Sequence, residues 1–319
     1  MTKAKIWLIV AASLVAAGLI IFAGVMTVHG WDYARLFGGT GIYTNEHTVY
    51  EEFDGISIYT DTADITFVPS DKSYCTVECR EYKNVTHTVE TDDGTLKISV
   101  LDARKWYEML FSLGNPKITV YLPAKTYGQL TVTESTGNVT IPSDFGFQSI
   151  SITASTGDIK NFASASDFIT IKTSTGDIFV EGISANSMRL TVSTGKITAK
   201  NVDLEGNLGI NVSTGKTELD NVKCNAVNSH GNTGDVSLNG VVVTEKMSIE
   251  RSTGDVNFDG CDAGEIYIKT DTGNVKGSLL SEKVFIVKTN TGNVKVPETV
   301  TGGKCKITTS TGDVKITVD

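Results

Sequence analysis

A Thr-Gly pair followed by Asp, Asn or Lys recurs ten times in this chain, with the glycine at Gly137, Gly157, Gly176, Gly195, Gly215, Gly234, Gly254, Gly273, Gly292 and Gly312. Every interval is 19 or 20 residues. A fixed period of this length is the mark of a repeat architecture whose units cannot fold alone. Seven residues before each glycine stand apolar residues: Leu130, Ile150, Ile169, Met188, Leu208, Val227, Met247, Ile266, Phe285 and Cys305. Five before it the column is apolar except at Ser229, and two after it is apolar except at Thr217. Polar residues such as Thr170, Lys172, Thr191 and Lys269 fill the places between, so each turn joins two strands with one inward face.

The turn has a backbone reason. Glycine adopts positive φ without steric cost, and a following Asp or Asn can accept from nearby amides. A second corner follows in Glu181-Gly182, Asn201-Val202, Asn221-Val222, Asn239-Gly240 and Asp259-Gly260, which leaves room for a third leg. Coils stacked about 4.8 Å apart bury the apolar face and pair each strand with its equivalent, a parallel β-solenoid on the order of 50 Å long for ten coils. The expected fold class is all-β. Regular repeats are expected over 128–319 and irregular N-terminal β coils over 50–127. Within the latter, an apolar insert at 102–113 carries Trp106, Tyr107, Leu110 and Phe111. These four form a candidate contact patch, either a helix capping the solenoid or a loop that meets a partner or the membrane.

Ahead of the solenoid, residues 6–28 contain no charge, long enough to span a hydrocarbon core of roughly 30 Å. We read them as an uncleaved transmembrane anchor. A signal peptide is the competing reading, whose apolar region is usually only about 7–15 residues. Lys3 and Lys5 precede the span, and no net positive excess follows it, so residues 1–5 are expected in the cytoplasm and the solenoid outside. Residues 29–49 read as a tether.

The span, Phe53-Asp54-Gly55-Ile56, the Trp106 insert, Tyr121-Leu122-Pro123 and the serial Ser-Thr-Gly-Asp motif together resemble the bacterial DUF4097 family. The resemblance covers roughly residues 50–319. It implies a β-solenoid, a cell-surface location and the family's label of putative adhesin; some relatives are associated with envelope stress systems. It implies no catalytic residues.

Lys and Arg number 28 against 37 Asp and Glu, a formal charge of -9 that disfavours nucleic acid. Asp158, Asp177, Asp235, Asp255 and Asp313 line one corner, whereas glycoside hydrolysis needs two carboxylates facing across a cleft. The same ladder raises a calcium reading, against which stands the lack of the paired glycines of calcium-binding nonapeptides. Thr156, Thr175, Thr194, Thr214, Thr253 and Thr311 repeat the pattern of ice-binding arrays, but at a corner rather than on a sheet face. His29, His47 and His87 precede the repeats and His230 lies within them, no cluster that suggests a metal or a nucleophile. Cys75 and Cys79, four apart in one strand, are about 13 Å apart and too far for a disulfide. The five cysteines are expected to be buried apolar residues.

The reading is therefore a non-enzymatic, membrane-anchored adhesin or envelope scaffold with no cofactor and no metal. Its partner would be an envelope protein or wall polysaccharide, and the last coil, Val314 to Val318, which has no evident cap, would meet another chain end to end or be concealed by the tail itself. The alternative is a sensor or regulatory accessory of an envelope stress system, and a carbohydrate-active enzyme is third.

Overall fold

The computed structural model describes residues 3–28, 30–31, 42–103 and 116–319. Helix α1 (Lys3–Val28) is uncharged from Ile6 onward and is the one helix among the described residues long and apolar enough to cross a membrane. The following elements are strands: β1 (Ile42–Val49), β2 (Gly55–Thr62), β3 (Asp64–Ser70), β4 (Cys75–Tyr82), β5 (Val85–Asp92), β6 (Thr95–Asp102), β7 (Lys117–Pro123), β8 (Thr126–Thr136) and β9 (Val139–Ile141). From Gly146 onward the strands repeat the β8–β9 unit in parallel, in-register layers.

Register follows the sequence period. Leu130 pairs with Ile150, Ile150 with Ile169, Ile169 with Met188 and Met188 with Leu208, all buried. Each such aliphatic, taken from water to interior, stabilises by about 1.5–3 kcal/mol. The third leg exists: Ile183 pairs with Val202 and Val202 with Val222, which closes the coil into a three-sided prism. At the second corner Gly182, Asn201, Asn221, Gly240 and Gly260 all have φ between 51° and 66°. Asn replaces Gly there because its short side chain tolerates the left-handed region and can bond locally. Asn221 Nδ2 donates to Asn201 Oδ1 at 2.8 Å.

The coils do not stack in chain order at either end. Strand Gly303–Thr311 pairs with Val256–Thr272 on one side and with Lys283–Thr291 on the other. The last coil therefore lies inside the stack, and the coil of Gly292 is outermost. This corrects the expectation of an open last coil: Val314 to Val318 is covered on one side by Val275–Leu279, and Val314–Lys315 is also paired with Val294–Lys295. The open end shows in Val294, which is 46% exposed where its column mates are buried. Lys283, buried, ties this coil back through Asp262 at 2.6 Å. The N-terminal end has the same inversion. β2 pairs with β8 and with β6, and β3 with β9 and with β7, so the β2–β3 coil lies between its two successors.

Beyond β6 and β7 the chain reverses. β5 pairs antiparallel with β6, β4 antiparallel with β7, and β1 antiparallel with β4. The residues read as a tether thus end in a strand, Ile42–Val49, because the outer edge of β4 is otherwise unpaired and a neighbouring strand satisfies it. The 102–113 insert, with Trp106, Tyr107, Leu110 and Phe111, lies outside the described residues apart from Asp102 and Ala103.

Candidate functional surface

Three features stand out: the turn column, the outward face beside it, and a few polar groups inside. The ten glycines form one column, continued by Ala63 in the β2–β3 coil. Each has φ between 131° and 157°. A Cβ on any of them would sit 1.7 to 2.2 Å from a carbonyl oxygen of the neighbouring coil, so the close stacking of coils excludes a side chain as firmly as the dihedral does. The Asp and Asn after each glycine point along the stack. Asn138 Oδ1 accepts from the amide of Asp158 at 2.8 Å, Asp158 Oδ1 from Asp177 at 2.8 Å, and Asp177 Oδ1 from Lys196 at 2.7 Å. Asp235, Asp255, Asn274 and Asp313 extend the pattern. Lys196 and Lys216 carry no acceptor and interrupt it. The expectation that these side chains serve nearby amides thus needs a correction, since they serve the next coil. Spread along one edge and engaged with amides, these carboxylates do not face one another across a cleft.

Beside the column lies the outward face of the strand that precedes each glycine. In register across it run Thr170, Arg189, Gly209 and Asn228, and next to them Lys172, Thr191, Asn211 and His230. Gly209 has no side chain, which leaves a groove of about 390 Å³ floored there and edged by Phe168, Arg189, Asn207, Asn211, Asn228 and His230. Phe168 is 43% exposed. His230 is open to solvent and lies 3.5 Å from Glu250. On the same face Tyr267 sits between Lys246 and Lys306, whose Nζ atoms are 5.7 and 5.6 Å from its ring centre.

Inside, the two exceptions in the apolar columns have a common cause. Arg251, buried, donates from one terminal nitrogen to Thr217 Oγ1 at 3.0 Å and to Ser229 Oγ at 2.9 Å. Gly231 makes room for it. Burial pulls the guanidinium down to about 10. At the other end Glu134 is buried with neither carboxyl oxygen hydrogen-bonded, and burial, followed by the Asp64 charge, pushes it up to about 8. Further out, Cys79 and Glu81 on β4 meet His87 on β5. One donor atom from each lies within 4.8 Å of the others, and all three residues are buried.

A family model matches residues 53–211 and 204–319, described as Toastrack DUF4097. The chain belongs to the DUF4097 family. No curated protein matches it. Among solved structures, this DUF4097 chain is similar to a putative adhesin from Bacteroides fragilis, at 16% identity over 88% of this chain and 97% of that one, TM-score 0.40. A putative adhesin from Parabacteroides distasonis shares 11% identity over 86% and 98%, TM-score 0.35. A putative cell adhesion protein from Clostridium sporogenes shares 12% over 87% and 100%, TM-score 0.23.

For this DUF4097 member the turn glycines were legible from spacing alone. The Arg251 site was half legible, since Ser229 and Thr217 stood out as breaks in the apolar columns. The Cys79–Glu81–His87 cluster was missed. Its only linear signal is the two-residue link Lys83-Asn84 between strands that place Cys79 and Glu81 on one leg and His87 on the other. Cys75, on the same strand, remains a free buried cysteine, as do Cys224, Cys261 and Cys305.

Proposed function

We propose that this protein is a membrane-anchored extracellular scaffold whose outward sheet face binds neutral cell-wall polysaccharide, an adhesin-like role without catalysis. The observation that carries it is the groove over Gly209. An exposed aromatic ring, planar amides and one guanidinium around a shallow, open trough suit the apolar faces and hydroxyls of sugars. The formal charge of -9 works against strongly acidic polymers. Helix α1 supports the anchor, and Lys3 and Lys5 at its N-terminal end support an outward-facing solenoid. The test is co-sedimentation of the full-length protein, in nanodiscs, with insoluble wall polysaccharide. Wild type is retained with the glycan uncleaved, and Phe168→Ala with Arg189→Ala lowers retention at least fivefold. Equal retention of the double variant, or none of wild type, refutes the reading. Capture of an envelope membrane protein instead of glycan transfers it to the sensor alternative.

A further inference from the structure

We propose that Cys79, Glu81 and His87 form a zinc site inside the reversed coil that closes the N-terminal end of the solenoid. The coil runs from β4 to β5, antiparallel to the layer beneath, and its two legs aim these side chains at a common point. Their ligand atoms lie within 4.8 Å of one another. A tetrahedral zinc ion with bonds of about 2.0 to 2.3 Å holds its ligand atoms roughly 3.3 to 3.8 Å apart, so the widest separations close by up to about 1 Å while the Glu81–His87 contact opens by about 0.5 Å. Elsewhere the interior of the coils is largely aliphatic; here a thiol, a carboxylate and an imidazole converge, on three buried residues.

Each ligand that needs an orienting partner has one. Asn45 Nδ2 donates to Glu81 Oε1 at 2.5 Å. Thr60 Oγ1 lies 3.0 Å from His87 Nε2, and without metal Nδ1 is hydrogen-bonded at 2.8 Å to Glu81 Oε2, which also accepts from the His87 amide at 2.7 Å; zinc would take the place of the Nδ1–Glu81 bond. Outer-sphere bonds of this kind fix the ring and its tautomer at metal centres. The remaining zinc position falls to solvent or to His47. His47 lies one diagonal step from Cys79 across the β1–β4 ladder, and its buried Nε2 has no hydrogen bond.

The donor set selects the metal. Thiolate excludes calcium and magnesium, and a mixed sulfur, nitrogen and oxygen set suits zinc. Binding expels the thiol proton to solvent and leaves the single ring proton on Nε2, where Thr60 Oγ1 accepts it; no electron is transferred. The site would pin β1, β4 and β5 together over the end of the stack.

The experiment uses the full chain in detergent, stripped with chelator and titrated with Co²⁺ and then Zn²⁺. One equivalent binds, with a near-ultraviolet thiolate-to-cobalt band that zinc abolishes. Cys79→Ser removes the band, Cys75→Ser keeps it, and Thr60→Val weakens zinc binding about 10- to 100-fold. Binding well below one equivalent by the folded wild type overturns the proposal, as does a band that survives Cys79→Ser. Should that variant not fold, the other four cysteines decide by elimination: a band retained in every one of their serine variants supports the site, and a band lost in any of them refutes it.

Discussion

Gly273 stacks on Gly312, thirty-nine residues further along the chain, and not on Gly292. Its amide donates to Thr311 O at 2.9 Å, and the Gly312 amide donates to Thr291 O at 2.9 Å. Asp313 N repeats the jump to Asn274 Oδ1, also at 2.9 Å. The C-terminal coil is clamped on both sides, and the coil before it carries the open edge.

Amide exchange should read this inversion directly. In a solenoid stacked in chain order the last coil frays first, because each repeat leans only on its neighbours. Here strand Gly303–Thr311 should exchange more slowly than Lys283–Thr291, although it is nearer the C-terminus. Faster exchange of 303–311 would show that the coils stack sequentially in solution.

The two corners differ in what glycine does. At Gly176 a Cβ would lie 2.1 Å from Gly157 O, whereas nothing lies within 4 Å at Gly182. Gly176→Ala should cost on the order of 3 kcal/mol, through strain and forced separation of coils. Gly182→Asn should stay within about 0.5 kcal/mol, since Asn201 and Asn221 hold that conformation already. Denaturant melts of the two variants compare these costs.

Arg251, Ser229 and Thr217 should behave as one unit. Ser229→Ala removes a buried acceptor from a guanidinium and should cost about 1–3 kcal/mol. In an Arg251→Met background the same substitution should fall to about 0.5 kcal/mol or less, since the hydroxyl then serves no cation. Equal costs in both backgrounds would mean the hydrogen bond contributes nothing to stability.

Glu134 should make the protein less stable as pH rises. Its folded value near 8 lies above the unfolded one near 4.5, so the folded state holds the extra proton between them. Stability from this group is full below about 4.5 and declines towards about 8, by on the order of 5 kcal/mol. Glu134→Gln should flatten that part of the stability–pH curve. An unchanged slope in the variant would place the titration elsewhere.

Much of the repeat region was legible because a stacked coil imposes the same demands every 19 or 20 residues. Leu130, Ile150 and Ile169 face inward in the structure as their alternation requires. Glu134 was not legible: it occupies an inward position filled in other coils by Ala154, Val192 and Thr270, and a single acidic residue beside a turn reads as surface. The groove was equally hidden. Gly209, Arg189 and Asn228 are ordinary outward residues in the sequence and become a trough only when coils are laid side by side.

The linear order of residues by itself determined the coil, its corners, its apolar columns and the apolar helix ahead of it, because these depend on contacts repeated at a constant interval. Only the tertiary structure decided which coil meets which at the two ends, that residues 42–49 become a strand, and that Cys79, Glu81 and His87 converge. Those outcomes turn on the ends of the stack, where the period stops and edges must be closed by whatever chain lies within reach. No repeating pattern encodes that choice.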